Sequence, residues 1–278
     1  VNFKKILLVA ILLFAGVAQG KLIAHYRMND NAASTTVVSG TGTHNGTFKD
    51  VGGNADTDAH DVAGKTWTAL TFDGTDDHIE IADHADFTFG DGTNDSPFSI
   101  SVWIYADSIE DFRIIRKLDV VDPSTYEWVF MTTSSKVTFI LFTDEFNSEG
   151  RSYNTALSTG KWYHLAGTYD GSGGITAHDG MKIYVNAVRK DDIDSNIVGT
   201  YVAMDDFAAP VWIGRISDDY ADGNIDNVML FDTELTQNEI DILYNGGGGT
   251  ENPADLDDRI RPRRWGGSKF PLRRRYEY

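Results

Sequence analysis

The sequence predicts an all-β protein, a two-sheet antiparallel jelly-roll sandwich with one short helix near its C-terminal end. Three observations carry that prediction. Short runs rich in β-branched and aromatic residues recur along the chain, with Gly, Asp, Asn, Ser and Thr between them. One run, "FSISVWIY" (98–105), alternates so that Phe98, Ile100, Val102 and Ile104 share one face, as in a strand with one face in a core. Only one segment carries helix punctuation. Thr236 and Glu239 have capping-box spacing, Ile240, Leu243 and Tyr244 make an apolar stripe, and Asn245-Gly246 stop it.

Taken in order, the predicted strands begin with "LIAHYRM" (22–28), "ALTF" (69–72), "HIEIA" (78–82) and "FSISVWIY". They continue with "YEWVFM" (126–131), "KVTFILF" (136–142), "KWYHLAGTY" (161–169) and "MKIYVNAV" (181–188). "VWIGRI" (211–216) and "NIDNVMLF" (224–231) close the series, and the helix that follows would cover one sheet. Before them, residues 1–20 pair Lys4 and Lys5 with an apolar run from Ile6 to Val17 and small residues after it. That is the pattern of a secretory signal peptide, and the run is short for a bilayer span. The division expected is therefore a signal peptide (1–20), one domain (21–247) and a basic, flexible tail (248–278). Localisation is expected to be extracellular or at a cell surface, with no transmembrane segment in the mature chain. With no cysteine, an exported chain must draw stability from a large core or a bound metal.

The net charge of −18 is unevenly spread: residues 259–278 carry +7 and the remainder −25. An acidic body argues against nucleic-acid binding and favours divalent cations as companions. The tail mixes Arg with Trp265, Phe270, Tyr276 and Tyr278, a composition suited to self-association or to an anionic surface.

Asp226 stands out within "NIDNVMLF". By strict alternation it shares the face of Val228 and Leu230, with Met229 and Phe231 opposite, so both faces read as covered. A carboxylate in such a place needs a cation or several hydrogen-bond donors. "DDYADGNID" (218–226) is no EF-hand, because Tyr220 and Met229 fall where oxygen ligands belong. "EFNSE" (145–149) imitates the spacing of a retaining-glucanase pair, but Asn147, Ser148 and Gly150 mark a hairpin turn there. There is no H-E-x-x-H or G-x-S-x-G, and His78 and His84 read as loop or strand-surface groups. Trp103, Tyr105, Trp128, Tyr153, Trp162 and Trp212 are candidates to stack on sugar rings, against the alternative that they are core.

The order of the pieces resembles laminin G-like domains of the concanavalin A-like lectin/glucanase superfamily over residues 21 to 246. The likeness rests on "ALTFDGTDDHIEI" (69–81), "GKWYHLAGTYDG" (160–171), "MKIYVNAV" and "GNIDNVMLFDTELTQNEI". Asn186-Ala187 replaces the usual Asp-Gly turn, which leaves a tight hairpin at that point in question. The resemblance implies a jelly roll that binds polysaccharide or another glycan, and a structural calcium joining the first and last strands. Asp226 falls on the family's closing-strand aspartate, and Asn29 and Asp30 lie in the opening acidic loop; these three are the expected metal ligands. The functional expectation is a secreted, non-catalytic carbohydrate-binding or adhesion module. A surface or virion assembly protein, and a polysaccharide lyase or glycoside hydrolase with an unusual site, are the alternatives.

Overall fold

A computed structural model describes residues 22–30, 34–50, 60–118 and 125–252. Residues 1–20, expected to be a signal peptide, and the basic tail beyond Asn252 lie outside the described residues. Among the described residues no helix is long and apolar enough to cross a membrane.

Two large antiparallel sheets face each other. The first is ordered Val188–Arg189, Met181–Val185, Trp162–Tyr169, Phe98–Ser108, Asp222–Phe231, Thr68–Asp73 and Asp61–Ala63. Leu22–Tyr26 also joins it, beside Asp222–Phe231. The second runs Ile193–Val198, Asn147–Ser152, Lys136–Asp144, Trp128–Thr133, Arg113–Lys117, Val211–Ile213, His78–Ile81, Gly46–Lys49 and Thr36–Val37. Between them lies one continuous core, in which Phe98, Ile100, Val102 and Ile104 meet Phe130, Phe139, Val211 and Ile213. The alternation read from the sequence at 98–105 is what fills it.

The outer faces differ. On the first sheet, the helix Gln237–Tyr244 packs Ile240, Ile242 and Leu243 against Ala166, Tyr184, Met229 and Phe231. Its capping box forms as expected: the Thr236 hydroxyl accepts from the Glu239 amide, and the Glu239 side chain accepts from the Thr236 amide. The helix ends at Asn245 in a left-handed conformation (φ 49°). Under it, Trp103 is buried and stacks on Tyr244, so Phe98–Ser108 is covered on both faces rather than one. The outer face of the second sheet has no helix over it among the described residues.

One expectation is corrected here. Asn186 and Ala187 do form a tight hairpin, with Val185 paired to Val188 and positive φ at both turn residues (51° and 63°). The missing glycine is offset by bonds from Asn186, whose amide donates to the His164 carbonyl and whose side chain accepts from the His164 amide. Past residue 247, Thr250 and Glu251 still touch the sandwich: Asn227 Nδ2 donates to the Thr250 carbonyl and Asn29 Nδ2 reaches Glu251.

Candidate functional site

The strand Asp222–Phe231 changes partner part-way. Asp222–Ile225 pairs with Thr68–Asp73, whereas Val228–Phe231 pairs with Leu22–Tyr26. A bulge falls between these halves, with Asn227 at φ 56°. The extra residue overturns the strict alternation read from the sequence: Ile225, Val228 and Leu230 all enter the core, and Asp226 lies opposite Trp103 on the helix-covered side.

At that junction the ladder is interrupted, and the turn Gly64–Trp67 fills the gap. Gly64 is required there, since a Cβ would sit 2.4 Å from the Thr68 carbonyl. The turn aims two amides at one oxygen: Lys65 N and Thr66 N each donate to Asp226 Oδ2 at 2.8 Å. The Thr66 hydroxyl adds a 3.3 Å contact to Oδ2 and reaches Oδ1 at 3.5 Å. Asp226 is fully buried. Among the described residues no basic side chain pairs with it. Burial therefore pushes its carboxyl up to about 7 against the pull of the two amides, and the charge of Glu251 adds to the rise.

Asn29 joins the same junction. Its Oδ1 accepts from Thr68 N and Oγ1 at 3.2 and 2.9 Å, and its Nδ2 lies 3.0 Å from both oxygens of Glu251. Asp30 turns aside to accept from the Val38 amide at 3.0 Å, its carboxyl held up by desolvation. Arg27, Asn29, Asp30, Val38, Gly40, Trp67 and Glu251 line a recess of about 290 Å³ at this rim. Trp67 stands over it 86% exposed, in a left-handed conformation (φ 58°).

The structure thus brings Asn29 and Asp30 to one recess, with Asp226 behind its Gly64–Trp67 wall. Glu251 and Trp67 were missed. Glu251 follows the glycine run taken as the domain end, while Trp67 sits between Lys65-Thr66 and the next strand, a lone aromatic in a polar turn. As a donor set for a hard cation the junction offers two carboxylates: Asp226 Oδ1 has only the long hydroxyl contact and the Glu251 charge is felt there, whereas Asn29 turns its Nδ2 to Glu251 and its Oδ1 to Thr68.

The other sequence candidates are placed elsewhere. Trp128 is fully buried, and Trp212 has the guanidinium groups of Arg116 and Arg215 at 4.0 and 4.2 Å from its ring centre. His78 is buried beside Trp212 and Tyr220, not a surface group as expected. Glu145 lies in the exposed turn between Lys136–Asp144 and Asn147–Ser152, and Glu149 is buried against His178. A hairpin does form here, but its turn is Glu145–Phe146; Asn147, Ser148 and Gly150, expected in the turn, lie in the strand after it.

Two buried imidazoles make a pH prediction. His164 has no exposure, and burial lowers it from 6.5 to about 3. His25, whose Nε2 lies 2.6 Å from Asn227 Oδ1, is lowered to about 4, also by burial. Both are neutral when folded and gain protons more readily when unfolded. Their stabilisation is complete above pH 6.5 and is lost as pH falls toward 4 and below, His25 alone accounting for about 3 kcal/mol. Melts of wild type and His164→Gln from pH 7 to 4 check this: the variant should show the shallower decline.

Comparisons with known proteins now bear on this geometry. A laminin G family model of the concanavalin A-like lectin/glucanases superfamily matches residues 73–241. The chain belongs to that superfamily. Among solved structures, this superfamily member is similar to domain 4 of AbnA, a GH43 extracellular arabinanase from Geobacillus stearothermophilus, solved in complex with arabinotriose. The TM-score is 0.56 at 19% identity, over 83% of this chain and 99% of that one. It is similar also to the binding domain of Paraclostridial Mosquitocidal Protein 1 (TM-score 0.56, 14% identity), over 81% of this chain and 52% of that one. A third likeness is to Trypanosoma rangeli sialidase in complex with sialic acid (TM-score 0.51, 11% identity), over 82% of this chain and 34% of that one. At these identities the likeness establishes the sandwich fold. No curated protein sequence matches the chain significantly.

Proposed function

We propose that this chain is a non-catalytic glycan-binding module of an exported or cell-surface protein, with its ligand in the recess below Trp67. The observation that carries the proposal is Trp67 itself, an indole 86% exposed beside a recess of charged and amide side chains. Exposing so large an apolar ring to water costs solvation free energy, and stacking on the C–H face of a sugar ring recovers it. Arg27, Asn29, Asp30 and Glu251 supply donors and acceptors for hydroxyl groups. Arabinan oligosaccharides are the first probes, since a domain of the same fold was solved with arabinotriose.

A calcium ion at the junction is the second part of the proposal. Asp226 through Oδ1 and Glu251 would hold it, Asn29 joining them by turning its Oδ1 from Thr68, and the ion would neutralise two neighbouring carboxylates. Asp30 lines the same recess and is the next oxygen ligand within the loop. What this chain's residues do unaided is fix the rim: the Gly64–Trp67 turn is bound to Asp226, and Asn29 links the opening strand to Glu251.

A glycan array followed by calorimetry tests the reading. Binding without release of reducing sugar or of unsaturated uronic product is expected. Trp67→Ala should weaken binding at least tenfold, about 1.4 kcal/mol, without lowering the melting temperature. An array blank for the intact protein, or a Trp67→Ala variant that binds as wild type, overturns it. Ordered self-assembly with no glycan binding would favour a surface-building role instead.

A further inference from the structure

A second cluster of ligating groups lies at another rim of the sandwich. Gly46–Lys49 and His78–Ile81 are antiparallel neighbours, with Gly46 opposite Ile81. His44 therefore enters one strand at the same end where His84 and Asp86 leave the other. We propose that His44, His84 and Asp86 form a binding site for a divalent transition-metal ion, zinc being the best fit.

The donor chemistry selects the metal. Two imidazoles and one carboxylate suit zinc and its neighbours in the first transition series, and do not suit calcium or magnesium, which want oxygen. The spacing agrees. One ligand atom from each residue lies within 4.8 Å of the other two. His44 Nε2 is 2.9 Å from Asp86 Oδ2, and His84 Nδ1 is 3.6 Å from the same oxygen. Tetrahedral zinc with bonds of 2.0–2.1 Å places its ligands about 3.3 Å apart, between those two values. Binding would replace the proton that His44 Nε2 now donates to Asp86 Oδ2. It would also trade the 3.1 Å bond from the Asp86 amide to His84 Nδ1 for one to water.

The ligands stand on fixed supports. His44 takes a left-handed conformation (φ 60°), its carbonyl accepts from the buried Tyr26 hydroxyl at 2.7 Å, and its ring meets the edge of Phe87 at 4.9 Å. His84 is the N-cap and Asp86 the middle residue of the short 3-10 turn Ala85–Phe87, pinned by the fully buried Phe87. Side-chain exposure rises from 10% at His44 to 38% at Asp86 and 51% at His84, so the ion would be reached from solvent and would keep a position for water or an outside ligand. Three protein ligands with an open fourth position are the arrangement of a reactive or bridging zinc rather than a closed structural one.

Titration of chelator-treated full-length protein with zinc chloride alone, followed by calorimetry, tests the site. One zinc per chain is expected, undisturbed by millimolar calcium. His84→Ala and Asp86→Asn each should weaken it at least tenfold, while His178→Ala, which removes an imidazole at a distant acidic cluster, should leave it unchanged. The half-exposed His84 can be truncated without emptying the core, and matching melts of His84→Ala and wild type in chelator verify that. Absence of zinc uptake, uptake unchanged in both His84→Ala and Asp86→Asn, or displacement by calcium would overturn the proposal.

Discussion

Asp95→Ala is expected to lower stability by about 3–5 kcal/mol, the cost of leaving three donors without their acceptor. Asp95 Oδ2 accepts from the hydroxyls of Tyr169 and Tyr201 at 2.7 and 2.6 Å, and Oδ1 accepts from the Met204 amide at 2.8 Å. Both tyrosines are almost wholly buried, whereas Asp95 is half-buried, so their hydroxyls reach the rim of the core only through its carboxylate. The three bonds join the loop before Phe98–Ser108 to the end of Trp162–Tyr169 and to the segment before Val211–Ile213, which spans both sheets. For a domain of this size the melting temperature should fall by about 10 °C. Asp95→Asn, which keeps one acceptor oxygen and the volume, should fall between wild type and alanine. A drop in Asp95→Ala of less than about 2 °C would show that the tyrosines find other partners.

The second large effect concerns Asp226. Calcium at 100 times its dissociation constant is expected to add about 2.7 kcal/mol to chelator-treated wild type, a rise of about 5–10 °C in melting temperature. Asp226→Asn should still accept the Lys65 and Thr66 amides through its Oδ1 and so fold, but should not respond to calcium. Asn29→Ala should blunt the response and, by releasing Thr68 and Glu251, should also loosen the turn that carries Trp67. If metal-stripped wild type melts identically with calcium and with chelator, the junction is held by its amide donors alone and the calcium proposal fails.

Much of the sandwich was legible in the sequence because alternation and turn chemistry are local signals. Phe98, Ile100, Val102 and Ile104 declare their face without reference to the rest of the chain, and Thr236 with Glu239 declares the helix start. The errors arose where a distant segment decides the geometry. Asp226 was visible as an anomaly, but its face depends on a bulge formed where two other strands take turns as its neighbour. His78 reads as an exposed strand residue until Trp212 and Tyr220 close over it from far along the chain. Glu251 was hidden by a glycine run that looks like an ending and instead folds back, with Gly249 donating to the Tyr244 carbonyl. Trp67 was overlooked because an aromatic in a turn has no periodicity to report which way it faces.

The place of Asp222–Phe231 in its sheet has a consequence for how the protein is made. The last long strand among the described residues is also one of the most central, bonded to Phe98–Ser108 on one edge and to Thr68–Asp73 and Leu22–Tyr26 on the other. As the chain grows from the ribosome at about 5–20 residues per second, the earlier strands must wait for this one before their sheet can close. Such distant pairings are slow to form, since a long loop must be ordered before any contact rewards it. A nascent domain of this topology stays open, with its earlier strands unpaired along one edge, until Asp222–Phe231 has been synthesised.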